Sequence, residues 1–398
     1  MSQSSGASRG FLKRFIEMEA AGGIVLIIAA VIAMVCANVD ALAPLYQAFL
    51  HTHFTLGVGE WSLNKAVDHW INDGLMVIFF FMVGMEIKRE MVHGQLDTLK
   101  EAILPVVAAV AGVATPALIF TFFNGDHPEA MRGWAIPTAT DIAFAVGVIS
   151  LFSTRVPFSL RIFLTAVAVI DDLIAVLIIA VFYTADISVV ALGVASCCAA
   201  LLLLLNIKGI NRFLPYIVIG VVMWLAVLKS GVHATVSGVV LGFMIPLSVQ
   251  GKSGKAMLTD AVEKLHGWVA FGIMPLFAFA NAGVVLDGVG WHQLQDDVPI
   301  GIALGLFLGK QVGIFTISYI VIKLGIAKKP EGCTWLQFYA VCVMCGIGFT
   351  MSLFVGSLAY TDALLLTETK LGVMCGSLIS GVVSYFLLSL ALRGKKHV

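Results

Sequence analysis

The chain has 398 residues, of which 60% are hydrophobic and only 12% charged, with 24 basic and 24 acidic side chains. An ordinary soluble domain carries roughly 25% charged residues, so this chain lacks the polar surface that a soluble core of its length would need. A formal net charge of zero also excludes the basic footprint of a nucleic-acid binder.

Crossing ~30 Å of hydrocarbon takes about 17–25 apolar residues in a helix. Residues 1–19 are polar and basic, with no small-residue cleavage site, so the first apolar run reads as a retained span. Spans are predicted at 20–38, 73–93, 102–123, 130–151, 158–183, 190–206, 213–228, 231–247, 267–286, 299–322, 337–359 and 367–391. The polar stretches at 39–70 and 250–266 are too short for a soluble domain, although the first has room for a hairpin. The expected organisation is one membrane domain over 1–398, with a cytoplasmic segment at 1–19 and a cytoplasmic tail at 392–398. Six of the seven cysteines lie in apolar runs, as small fillers do, and not in the polar pairs of a zinc site or disulfide framework.

Charge orients this twelve-span reading. With the N-terminus inside, the cytoplasmic segments hold 19 of the 24 Lys and Arg, and the opposite loops hold four: Lys65, Arg132, Lys229 and Lys370. The outer loops carry acids instead, as in Asp126 with Glu129 and Asp296 with Asp297. Such a split satisfies the positive-inside rule and places both termini in the cytoplasm.

The remaining basic residue, Lys310, falls inside a span, as do Asp141, Asp171 and Asp172; Asp73 and Glu86 lie near the two ends of the second span. Each mid-membrane Asp or Lys costs ~2.5–3.5 kcal/mol to insert, so four cost on the order of 10 kcal/mol. A structural ion pair would offset part of that cost, but apolar residues would avoid it, which favours function. Asp171 and Asp172 diverge by ~100° on a helix yet repel by roughly 3 kcal/mol at ~6 Å and an effective dielectric of ~20. They therefore titrate as a coupled pair, and a hard cation such as Na⁺ competes with H⁺ for their oxygens. A soft or transition metal would want His or Cys there.

Two spans carry helix breakers. The run Ala135-Ile136-Pro137-Thr138-Ala139-Thr140-Asp141 interrupts the fourth, and Cys345-Gly346-Ile347-Gly348-Phe349-Thr350 interrupts the eleventh. Broken backbone is tolerated at membrane depth only where protein or a cavity surrounds it. The fourth span is the middle of spans 3–5 and the eleventh the middle of spans 10–12. Two three-span units separated this way point in opposite directions, the pattern of inverted repeats with a site at their interface.

These stretches resemble the NhaA-type sodium/proton antiporters, themselves a standard example of inverted-repeat architecture. The similarity runs from Gly22 to about Ala391 and rests on WAIPTATDIAFAVGV at 134–148, AVIDDLIA at 168–175, LKSGVHATVSGV at 228–239, PLFAFANAG at 275–283 and CGIGFTMS at 345–352. WINDGLM at 70–76 and VGMEIKRE at 83–90 belong to the same pattern. The resemblance implies an all-α inner-membrane protein, usually a homodimer, that expels Na⁺ or Li⁺ for about two H⁺, with activity rising at alkaline pH. It implies Na⁺ ligation by Asp171 and Asp172, with Asp172 the more indispensable. Lys310 would pair with an aspartate of that couple when sodium is absent. Thr140 and Asp141 would support the broken helices, Asp141 compensating their positive ends and Lys310 their negative ends. Glu86, Arg89, Glu90 and His266 would shape the pH response, with His233 tuning it from a packing position. No cofactor is implied. Two departures stand out: Gln311 follows Lys310 where the familiar member has proline, and Glu263 and Lys264 precede His266 in an altered segment.

The competing readings are a cation channel or proton-coupled symporter of similar fold, and an intramembrane protease. A channel wants a continuous polar pore. An aspartyl protease needs carboxylates on different helices, commonly with GxGD, and a rhomboid-like enzyme needs GxSG in a span with a partnered His. The spans hold neither motif, so no enzymatic activity is expected.

Overall fold

The computed structural model describes residues 19–56, 62–93, 99–152, 155–184, 187–247, 256–286 and 292–393. The basic residues expected at 1–18, at Lys252 and Lys255 and in the tail beyond 393 lie outside them. Nine helical stretches among the described residues are long and apolar enough to cross a membrane: Ala21–Asn38, Val67–Val92, Glu101–Asn124, Pro128–Ser150, Phe158–Phe182, Val189–Ile207, Asp297–Lys323, Trp335–Ala359 and Ala363–Arg393. The protein is thus an all-helical polytopic membrane protein with one small addition. Strands His53–Leu56 and Leu63–Ala66 pair antiparallel, His53 opposite Ala66 and Leu56 opposite Leu63, as the hairpin expected between 39 and 70.

The other expected spans take different forms. The run at 213–228 is the sixteen-residue helix Phe213–Leu228. The run at 231–247 contracts to ten residues, Thr235–Met244. The chain turns through Gly231 at φ 83°, a left-handed conformation that other L-residues adopt only at a cost, so helix begins only after His233. The polar stretch before 267 contains helix. Helix starts at Met257 and continues through a π turn at Val269–Ile273 to Asn281. Met257, Leu258 and Val262 face the interior there while Glu263 and Lys264 face outward, so its charges mark an amphipathic face and not a break.

Burial is graded across the bundle. Within an eighteen-residue apolar window of Trp335–Ala359, 94% of the residues are buried, and within the corresponding window of Phe158–Phe182, 72%; in that of Val189–Ile207 only 17% are. The first two occupy the centre and the third faces its surroundings. One large core, including Phe80, Phe163, Phe277, Phe338 and Phe354, surrounds the central pair. A smaller one, built on Leu202, Tyr216, Met223 and Leu241, binds the 189–244 helices to the flank of Met76–His93. The middle portions of these helices are therefore enclosed by protein, the condition under which broken backbone and buried charge survive at this depth.

Candidate functional site

Both breaker sequences interrupt their helices. The first stretch passes through a 3-10 turn at Ile136–Thr138, leaves helical geometry at 139–141 and resumes as Ile142–Ser150. Pro137 is the second residue of that turn, and the Thr138 hydroxyl donates to Ala135 O at 2.8 Å. The second stretch stops at Met344 and resumes at Phe349. Its break depends on space: a Cβ on Gly346 would lie 2.4 Å from Leu306 O and 2.6 Å from Ser380 Oγ.

The two breaks meet. The Asp141 backbone N–H donates to Ile347 O at 2.7 Å, and the Ser352 hydroxyl donates to Ile136 O at 2.7 Å. Asp141 is the hinge of this crossing. As N-cap of Ile142–Ser150, its Oδ1 accepts from Phe144 N at 2.9 Å, while its Oδ2 accepts from Thr350 N at 3.0 Å and from the Thr350 hydroxyl. One carboxylate thus faces the N-terminal ends of two half-helices, where partial positive charge concentrates. Ser377 completes the second N-terminus, its Oγ accepting from Gly348 N and Phe349 N at 3.3 and 3.0 Å.

Asp171 and Asp172 approach the crossing from Phe158–Phe182, each 1% exposed. Asp171 Oδ2 accepts from Lys310 Nζ at 2.5 Å and from Thr140 Oγ1 at 2.7 Å; Thr140 Oγ1 also lies 2.9 Å from Cys345 O, the C-cap carbonyl at the second break. Lys310 follows a π turn at Gly305–Gly309 and is fully buried. Its Asp171 contact is an ion pair with neither side chain exposed.

The other three oxygens of the pair, Asp171 Oδ1 and both of Asp172, are buried without a hydrogen-bond partner. Leaving a carboxylate oxygen dry and unpaired costs several kcal/mol. Asp172 also feels Asp171, Asp141 and Glu86 as negative neighbours against the single positive charge of Lys310. Hard oxygen donors with surplus negative charge fit a small hard cation or a proton, and no cluster of three His, Cys, Asp or Glu suited to a bound metal occurs among the described residues.

The residues expected to govern pH response lie elsewhere. Arg89 Nη2 is 3.4 Å from Glu90 Oε1, with both side chains partly exposed, and Glu86 lies one turn before. His266 sits near Arg89; partial burial of its ring, and secondly the positive charge of Arg89, hold it below the ordinary histidine value. His233 is separate from both groups. Its Nδ1 lies 2.9 Å from Thr235 Oγ1, its Nε2 lies 3.8 Å from Asp73 Oδ1, and its ring meets Phe354 edge-on.

Three contributors escaped the sequence reading. Thr350 donates from its N–H and hydroxyl to Asp141, Ser377 Oγ accepts from the N-terminus of Phe349–Ala359, and Lys88 Nζ donates to Phe243 O and Ile245 O at 2.8 and 2.7 Å, closing the C-terminal end of Thr235–Met244. Thr350 at least stood next to a visible break. Nothing in the local sequence marks Ser377 or Lys88.

Comparison with known proteins finds a matching family and relatives along nearly the whole chain. The family model for Na⁺/H⁺ antiporter 1 matches residues 13–388. The Na⁺/H⁺ antiporter NhaA of Campylobacter concisus is 49% identical over 388 residues, covering 97% of this chain and 94% of its own length. The NhaA of Aliivibrio salmonicida is 51% identical over 387 residues, covering 96% of this chain and 98% of its own length.

Proposed function

Because the chain belongs to the Na⁺/H⁺ antiporter 1 family, we propose that it is a secondary transporter that expels Na⁺ or Li⁺ in exchange for H⁺ and is not an enzyme. The observation that carries this reading is the pair Asp171 and Asp172: buried, adjacent, with three of four oxygens unpartnered and the fourth held by Lys310 and Thr140. A cation arriving at those oxygens displaces protons and competes with Lys310 for Asp171. Asp141 holds the two half-helix N-termini together beside it, and Lys310 balances charge at the opposite ends.

In this reading the transporter has twelve spans, including the shortened Thr235–Met244, and two inverted three-span repeats whose middle members carry the breaks. It sits in a bacterial inner membrane with both termini cytoplasmic, as a homodimer using the hairpin at His53–Ala66, and needs no cofactor beyond the transported ions. Glu86, Arg89, Glu90 and His266 adjust the rate with pH, and His233 tunes it through Asp73. About two H⁺ move per Na⁺, so each cycle carries one charge and gains roughly 2.3 kcal/mol per 100 mV. Supplying a counter-ion pathway should therefore accelerate exchange in proteoliposomes, whereas indifference to potential would mean one-for-one exchange.

The decisive test is proton flux on adding Na⁺, Li⁺ or K⁺ at pH 6.5, 7.5 and 8.5. If Na⁺ and H⁺ share these carboxylates, apparent KM for Na⁺ rises about tenfold per pH unit as pH falls below the value at which the site takes up its proton. A flat KM with only the maximal rate changing would rule out the shared site. A channel would pass Na⁺ without moving protons.

A further inference from the structure

On the face opposite the basic loops, a cavity of about 880 Å³ opens between the helix ends at Asn124, Pro128, Asp297 and Ala363. Its lining includes the carboxylates Glu129, Asp296, Asp297, Asp362 and Glu368 and contains neither Lys nor Arg. Part of this acidity has a plain structural origin. Asp296 and Asp297 stand at the start of a helix, where negative charge is favoured, and Asp362 Oδ1 accepts from Leu364 N and Leu365 N at 2.9 and 3.0 Å.

That account does not reach the floor of the cavity. Glu368 lies more than a turn inside its helix, is 7% exposed, and makes no hydrogen bond or ion pair among the described residues; its charged neighbours are Asp296 and Asp362, both negative. Asn124, fully buried, lines the same cavity. Its amide nitrogen donates to Phe120 O at 3.1 Å and Asp297 O at 3.0 Å, while its Oδ1 has no partner. The Glu368 carboxylate and the buried, unpartnered Asn124 Oδ1 form a set of acceptors beneath an acidic rim, in a lining that also holds His127 and Gln295. Such a set suits a cation that brings its own N–H groups.

The arrangement separates two kinds of cation. A chelated metal needs several hard ligands converging on one point, and no group of three such side chains does so among the described residues. Here the acids are spread around a space large enough for an organic ligand, with Val298, Leu364 and Leu365 supplying apolar wall. We propose that this outward cavity binds an aliphatic polyamine, with one ammonium at Glu368 and Asn124 Oδ1, its methylenes along the apolar wall and its remaining charge at the rim.

The test is calorimetric titration of the purified full-length protein with spermidine at low and moderate salt. Saturable binding is expected, weakening with salt and at least tenfold weaker in Glu368→Gln. Asp296→Asn, a change at an exposed rim position, should weaken it several-fold and serves should Glu368→Gln not fold. Asp172→Asn should bind spermidine as the parent does, which keeps this outcome separate from any failure of ion exchange. Absence of saturable binding, or parental affinity in both cavity variants, overturns the proposal. So does Mg²⁺ binding with the same dependence on Glu368 and displacing spermidine, which would make the cavity a metal site.

Discussion

At the crossing of the broken helices, Asp141, Asp171, Asp172 and Lys310 are each no more than 1% exposed. Near the last turns of Met76–His93, Arg89 and Glu90 keep 36% and 19% of their side chains exposed, and the neighbouring Lys264, 73% exposed, pairs with Asp260 one turn away. The two groups use the same residue types. Water screens the second, where an exposed pair contributes ~0–1 kcal/mol. It does not reach the first, where removing one partner of a buried pair costs ~3–5 kcal/mol. A charge removed at the crossing should therefore act almost as a switch, and one removed from the exposed group as an adjustment.

The strongest challenge to that division is Asp172→Asn. The amide removes the charge that attracts a cation and lowers the cost of insertion, so expression and membrane insertion should be normal while exchange is lost. Sodium-driven proton release from reconstituted Asp172→Asn is the measurement, and parental release would remove the pair from the mechanism. Asp141→Asn probes the same region without touching the proposed ligands. Asparagine keeps one acceptor oxygen but not the charge shared by two helix ends, each worth up to ~2 kcal/mol in partly buried geometry. A loss of about 2–4 kcal/mol is expected, seen as a lower melting temperature together with a raised apparent KM for Na⁺. Were Asp141→Asn as mild as Glu90→Gln, burial would not be what divides the two regions.

The division also explains what could be read from sequence. Asp171, Asp172, Lys310 and the Pro137 and Gly346 breaks were visible because each violates the apolar or helical pattern around it, and that violation is local. Asp141 was visible as a misplaced charge, but its service to two helices depends on Thr350, 209 residues away. The π turns at Trp70–Leu75, Val269–Ile273 and Gly305–Gly309 left no mark, since one extra residue per turn needs no special composition. The segment from Met257 to His266 reads in sequence only as a polar stretch, because its charges mark one face of a helix and break the apolar run.

Gln311 lies between the two extremes. It is 4% exposed, and its amide nitrogen donates to Phe307 O at 2.6 Å, a carbonyl within the π turn that delivers Lys310. Its amide oxygen accepts from the Tyr339 hydroxyl on the second broken helix. Gln311→Leu would keep most of the volume but leave both partners unpaired, at a cost of about 1–3 kcal/mol. Lower thermal stability with exchange retained is expected. A loss as complete as that of Asp172→Asn would mean that Gln311 takes part in ion handling itself.

The smallest effect is expected at His266, and its sign follows from its surroundings. The side chain is exposed on the surface of Met257–Trp268, yet partial burial of the ring, and after it the charge of Arg89, hold it below the ordinary histidine value. An unfolded histidine titrates near 6.5. Between about pH 6.5 and the lower folded value, the unfolded chain takes up a proton that the folded chain refuses. The stability this group contributes is therefore complete above that window and is lost as pH falls through it. His266→Gln should flatten the acid side of the melting curve slightly, and Arg89→Gln should move the same limb towards pH 6.5 by relieving the repulsion. Melting temperatures of the parent and both variants at pH 5.5, 6.5 and 7.5 would show this, with sodium-saturated exchange at pH 8.5 expected to stay within about twofold of the parent, in keeping with an exposed charge. Abolished exchange in His266→Gln would place the exposed group among the essential charges, and the contrast with the crossing would fail.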